Sequence, residues 1–189
     1  MPDDVAPAPA PAAAPSPAPS PAPGRWVDGY AVSVVNERAM RAAAGLLFAA
    51  GFAAWGWGLT TGDLQFMRMF GILFAVDMML RLFVTGGASP TVALGSLAVR
   101  RQQPEWVDAR SKAFAWGLGL TMALAGCFSL GWLGLTAVAQ TICGLCLALL
   151  FAETAFGLCV GCALARRFTR QAPQHCPGGT CDATDHAAR

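Results

Sequence analysis

From residue 42 to residue 60 the chain carries no charge, enough for about 28 Å of α-helix at 1.5 Å per residue. That length matches the ~30 Å hydrocarbon core of a bilayer. Composition agrees with a membrane setting. Of 189 residues, 55% are hydrophobic and 13% are charged, against roughly 25% charged in soluble domains. Mean hydropathy is +0.48. These values identify an integral membrane protein with one small helical domain.

Extending the same reading predicts spans at about 39–60, 64–84, 113–130 and 137–158. The expected fold is all-α, a compact four-helix transmembrane bundle over 35–168. The second span is the least regular, because Arg68, Asp77 and Arg81 interrupt it. Abundant alanine and glycine suit close helix approach in lipid. Residues 1–24 are Pro/Ala-rich and residues 169–189 polar; both are expected to be disordered tails, because neither can bury a core. Asp3 and Asp4 precede the Pro/Ala run with no apolar h-region, so no signal peptide is read there. No lipidation motif is evident.

Lysine and arginine orient the spans. With the N-terminus inside, Arg25, Arg38, Arg41, Arg81, Arg100, Arg101, Arg110, Lys112, Arg166, Arg167, Arg170 and Arg189 all fall on the cytoplasmic side, and Arg68 alone lies near the outer face. Trp55, Trp57 and Trp132 then share the outer interface as an aromatic belt. The expectation is an inner (plasma) membrane protein with both termini cytoplasmic. The longest connection, 85–111, has room for a short interfacial helix within 90–103, with Leu94, Leu97 and Ala98 on one face. Residues 130–135 form a tight helical hairpin.

Ionisable residues in hydrocarbon cost several kcal/mol unless paired or wetted. Helical rise puts Asp77 about 20 Å, Arg81 about 26 Å and Glu153 about 22 Å below the outer face. All three share the inner leaflet, and Arg41 reaches the same layer. Asp77 and Arg81 are four apart and pair along one helix face. Glu153 is predicted to pair with Arg41 or Arg81 across the bundle. Such a polar cluster serves as a buried ion pair fixing helix register, as a pocket for a ligand, quinone or sulfur species, or as a proton-handling group.

The chain has seven cysteines. Cys159 and Cys162 form a Cys-x-x-Cys about 31–36 Å down, at the cytoplasmic boundary. Cys159 is expected near a helix end. The pair can act as a redox dithiol, can be structural, or can join tail residues Cys176, Cys181, His175 and His186 at a metal. A dithiol is the expectation for Cys159 and Cys162, with no metal site, and the sequence names no cofactor. Reduced thiols are the expectation in the cytosol. Cys143 and Cys146 lie about 8–12 Å inside the outer face, near the depth of Cys127. They read chiefly as small packed hydrophobes, with a Cys127–Cys143 pairing as the alternative. No phosphate loop, dinucleotide fingerprint or serine triad is present. The basic residues are explained by topology, so nucleic acid is not an expected partner.

Several blocks together resemble the uncharacterised membrane family named domain of unknown function 4395, over about 35–168. They are Asn36-Glu37-Arg38, the run from Asp77 through Met78, Met79, Leu80 and Arg81 to Phe83, Lys112-Ala113-Phe114-Ala115 with Gly117, and the block from Glu153 to Cys162. The family's last block commonly reads Phe-Cys-Leu-Gly-Cys, and here Leu158 and Val160 replace Phe and Leu. The resemblance implies a compact membrane domain and an association with thioredoxin-like or sulfurtransferase proteins. Two functions follow. The first is a thiol-redox or sulfur-transfer partner using Cys159 and Cys162 at the membrane face, with Asp77, Arg81, Glu153 and Arg41 bracing the site. The second is a non-enzymatic scaffold or small-solute transporter whose buried charges are structural. In either case the lipid bilayer is a partner.

Overall fold

A computed structural model describes residues 23–168, apart from 28, 29, 31 and 85–87. Most of the predicted tails, with Cys176, Cys181, His175 and His186, therefore lies outside the described residues. The element order is β1 (Val34–Asn36), α1 (Glu37–Thr61), α2 (Gln65–Met79), a π-helical turn (Leu80–Val84), α3 (Pro90–Ala98), β2 (Trp106–Asp108), α4 (Ala109–Gly131), α5 (Thr136–Phe156) and α6 (Val160–Phe168).

Local chemistry explains most boundaries. Asn36 caps α1, its Oδ1 accepting the Arg38 N–H at 3.2 Å. Gly62 ends that helix in the left-handed region at φ 75°, where a side chain would be strained. Ser89 caps α3, accepting the Val92 N–H at 3.2 Å, and Pro90 takes the first helical position. Asp108 caps α4 through the Arg110 N–H at 2.8 Å. Gly157, at φ 68°, stops α5.

Two short strands, unexpected from the sequence, precede α1 and α4. β1 and β2 pair antiparallel, Val35 opposite Val107. Each strand runs straight into a helix, so this ribbon holds the first turns of α1 and α4 side by side. α2 and α5 then fill the two grooves between α1 and α4, α3 lies against α1, and α6 lies against α4. Gly95 permits the α3–α1 approach, because a Cβ there would sit 2.5 Å from the Ala39 carbonyl oxygen. The core gathers Val35, Met40, Ala43, Phe74, Val107 and Trp116, among others, and lies toward the ribbon.

The expected four-helix transmembrane bundle is not what forms. The described residues make an all-α protein of six helices, and three of them, α1, α4 and α5, are long and apolar enough to cross a membrane. The stretch 64–84 splits instead into a 15-residue α-helix and a 5-residue π turn. Fifteen residues rise about 22 Å, short of a ~30 Å core, and Arg68, Asp77 and Arg81 dilute the stretch's hydropathy. The membrane character itself is strong. Only 11% of the apolar window of α4 and 17% of that of α5 is buried by the protein. Water would face large apolar surfaces that soluble monomers do not carry.

The short helix expected within 90–103 is α3, with Leu94 and Leu97 exposed. The hairpin at 130–135 joins α4 to α5 through Gly134, at φ 63°. Trp57 and Trp132 are exposed as a belt requires. Trp55 turns inward, donating its indole N–H to the Gln140 carbonyl of α5 at 3.0 Å.

Candidate functional site

Two polar clusters lie inside this apolar frame. The first follows from the ribbon. Glu37 opens α1, where a carboxylate suits the positive helix end. Lys112 lies in the first turn of α4, and Glu153 lies in the last turn of α5. The Lys112 Nζ stands 2.8 Å from Glu37 Oε2 and 2.7 Å from Glu153 Oε1, and it donates to Glu37 Oε1 at 3.0 Å. The Lys112 and Glu37 side chains are each 1% exposed, and that of Glu153 is 19% exposed. One ammonium thus ties together three helices that are remote in sequence. Burying it is tolerable because two carboxylates face it; a lone buried charge would cost several kcal/mol.

The second cluster joins the end of α2 to α3. Arg81 donates from Nε to Asp77 Oδ2 at 2.9 Å, and its Nη2 lies 2.8 Å from the same oxygen. Ser89 donates to Asp77 Oδ1 at 2.6 Å, and Thr91 donates to Oδ2 at 2.8 Å. Thr91 also accepts from Arg81 Nη2 at 2.6 Å. Trp116 lies under the guanidinium, 5.8 Å from the ring centroid to Cζ, a cation–π contact. The i, i+4 spacing puts Asp77 beside Arg81, and the cap residue Ser89 is shared between helix α3 and the ion pair.

Arg41 does not join Glu153. Its Nη2 donates to the Thr154 carbonyl at 3.2 Å, satisfying a backbone acceptor at the C-terminal end of α5. Gly157 leaves space for this guanidinium, since a Cβ there would lie 3.2 Å from Nη1. The predicted partners of Glu153, Arg41 and Arg81, are thus both replaced by Lys112. Lys112, Glu37, Ser89 and Thr91 are the members of the two clusters that the sequence reading missed. Glu37 left a signal, a carboxylate in the first turn of a long apolar helix; Lys112, preceded by Arg110 and Ser111, left none.

Cys159 and Cys162 are joined as a disulfide, with Cα atoms 5.1 Å apart. Because α5 stops at Gly157, Cys159 precedes a new helix rather than ending an old one. Its carbonyl accepts the Ala163 N–H at 2.9 Å, and its Sγ accepts the Cys162 N–H at 3.3 Å. Gly161 seats α6 on α4, where a Cβ would come 2.6 Å from that of Ala115. Cys127, Cys143 and Cys146 are free and half-buried.

Arg81, Glu153, Cys146 and Cys159 all border one cavity of about 70 Å³. That is room for a water or two, at about 30 Å³ each. A larger apolar cavity, about 410 Å³, lies between α2, α4 and α5. Among the described residues, no group of three or more His, Cys, Asp or Glu side chains is placed to hold a metal.

A family model described as "Domain of unknown function (DUF4395)" matches residues 35–170. No curated protein matches the chain, and no solved structure matches it.

Proposed function

The chain belongs to the DUF4395 family, and from that premise we propose that it is a non-enzymatic membrane scaffold whose buried charges are structural. One observation carries this reading: each charged group in the buried clusters has a counterion within the protein, the single Lys112 serving two carboxylates. Lys112 has Glu37 and Glu153, Arg81 has Asp77 with Ser89 and Thr91 around it, and the cavity beside them, about 70 Å³, has room for little more than water. A solute path needs polar groups with capacity to spare. Here that capacity is spent on tying α1, α4 and α5 together and on docking α3.

The arginine and lysine bias supports an orientation within the same proposal. Arg38, Arg41, Arg110 and Lys112 gather around the ribbon, and that end faces the cytoplasm of the plasma membrane. The test is flux in proteoliposomes carrying the purified protein. Panels of small ions, organic acids and amines are expected to leak no faster than from empty vesicles. Flux that Glu153→Gln abolishes would make the charges part of a path.

A second reading rests on a separate observation, the bonded Cys159–Cys162 pair at the start of α6. A helix start stabilises negative charge on sulfur. On this reading the pair exchanges with a thioredoxin-like or sulfurtransferase protein. Replacing both cysteines by serine is expected to abolish trapping of such a partner as a mixed disulfide while membrane insertion persists. Equal trapping by the serine variant would remove this reading.

A further inference from the structure

The cavity of about 410 Å³ between α2, α4 and α5 has the size of a small-molecule site. Its wall is apolar, with Phe70, Phe74, Met122 and Ile142 contributing side chains, and a Cβ at Gly126 would meet Ile142 at 3.5 Å. The lining covers residues 122–131 of α4, about 14 Å of helix. Apart from the weakly hydrogen-bonding thiols of Cys127, Cys143 and Cys146, its length is apolar, which suits an aliphatic chain better than a polar solute.

Its mouth is different. Arg68 and Gln65 lie there, at the start of α2. Arg68 is exposed, and its guanidinium has no ion pair among the described residues. The same end of the molecule carries the edge-on pair Trp57–Phe66, with centroids 5.9 Å apart, and Trp132, which is 84% exposed. Aromatic residues of this kind mark the headgroup level of a bilayer. An arginine at that level, not ion-paired with Asp63, whose Oδ1 accepts the Gln65 N–H, and above an apolar groove, matches a phosphate above an acyl chain. The outer faces of the neighbouring helices are apolar too, with Met69, Ile72 and Leu145 exposed. The groove is therefore reached from the lipid.

We propose that this groove holds one acyl chain of an anionic phospholipid, with the lipid phosphate paired to Arg68. The inference stands apart from the scaffold reading, because none of the buried charges takes part in it.

The full chain in nanodiscs of mixed phosphatidylglycerol and phosphatidylcholine, released into native mass spectrometry, tests the inference. Phosphatidylglycerol is expected to be retained about fivefold over phosphatidylcholine, the preference one arginine near a membrane surface supplies. Arg68→Gln should erase the preference, and Gly126→Leu should lower retention of both lipids by filling the groove. Arg68 is exposed, so its variant keeps the fold. Unreacted Cys127 and Cys143 at the groove wall give an independent readout, since maleimide should label them more slowly when phosphatidylglycerol is present. Equal retention of the two lipids by the unmodified protein, or an unchanged preference in Arg68→Gln, would overturn the proposal.

Discussion

Lys112 is the residue on which three helices depend. Its ammonium is 1% exposed and lies within 2.8 Å of two carboxylates from different elements. Removing one partner of a buried pair costs about 3–5 kcal/mol, because the charge left behind has neither water nor counterion. Lys112→Met leaves two carboxylates facing each other, so loss at the upper end of that range is expected in thermal unfolding in detergent. Ser89→Ala is milder. It removes the hydroxyl that caps α3 and donates to Asp77, for an expected loss of about 1–2 kcal/mol, measurable by the same melting experiment. Gly157→Ala places a side chain in the left-handed region and against Arg41, at about 1–2 kcal/mol. The Asp77–Arg81 pair was legible from its spacing alone. Lys112 was not, because its sequence neighbours read as a loop and only the strand pairing turns it inward.

At the scale of elements, the ribbon and α3 do the positioning. β1 and β2 are three residues each, too short to announce themselves by alternation, yet they determine which helix starts meet. Helices α1, α4 and α5 were readable because uncharged runs of that length have one common use. The stretch 64–84 was misread for a related reason. Its apolar content suggested a fourth span, while its charges and the change to a π turn at Leu80 break the regular helix a span would need. α6 escaped because its boundary depends on the backbone at Gly157 rather than on hydropathy. Placement of α3 has a direct test. Gly95→Leu forces a side chain into the α1 backbone, and α3 should undock and take Ser89 and Thr91 away from Asp77. Faster proteolysis or thiol labelling of a cysteine introduced at Thr91 would report it; protection equal to that of Gly95 would contradict it.

For the whole molecule, two ends carry different chemistry. The ribbon end gathers the basic residues and both buried clusters. The far end carries tryptophans, Arg68 and an apolar groove. The protein should stay with membranes after alkaline carbonate washing, because so little of its apolar helix surface is covered by protein. On the scaffold reading, the buried charges hold the helices in register and do no chemistry. Neutralising a buried triad completely is far less damaging than breaking it, since the desolvation cost disappears with the attraction. Melting temperatures of purified Lys112→Met and of the triple variant Glu37→Gln, Lys112→Met, Glu153→Gln test this most directly. The single variant is expected to lose about 3–5 kcal/mol, and the triple variant to recover most of it. A single variant as stable as the unmodified protein, or a triple variant no better than the single, would contradict it.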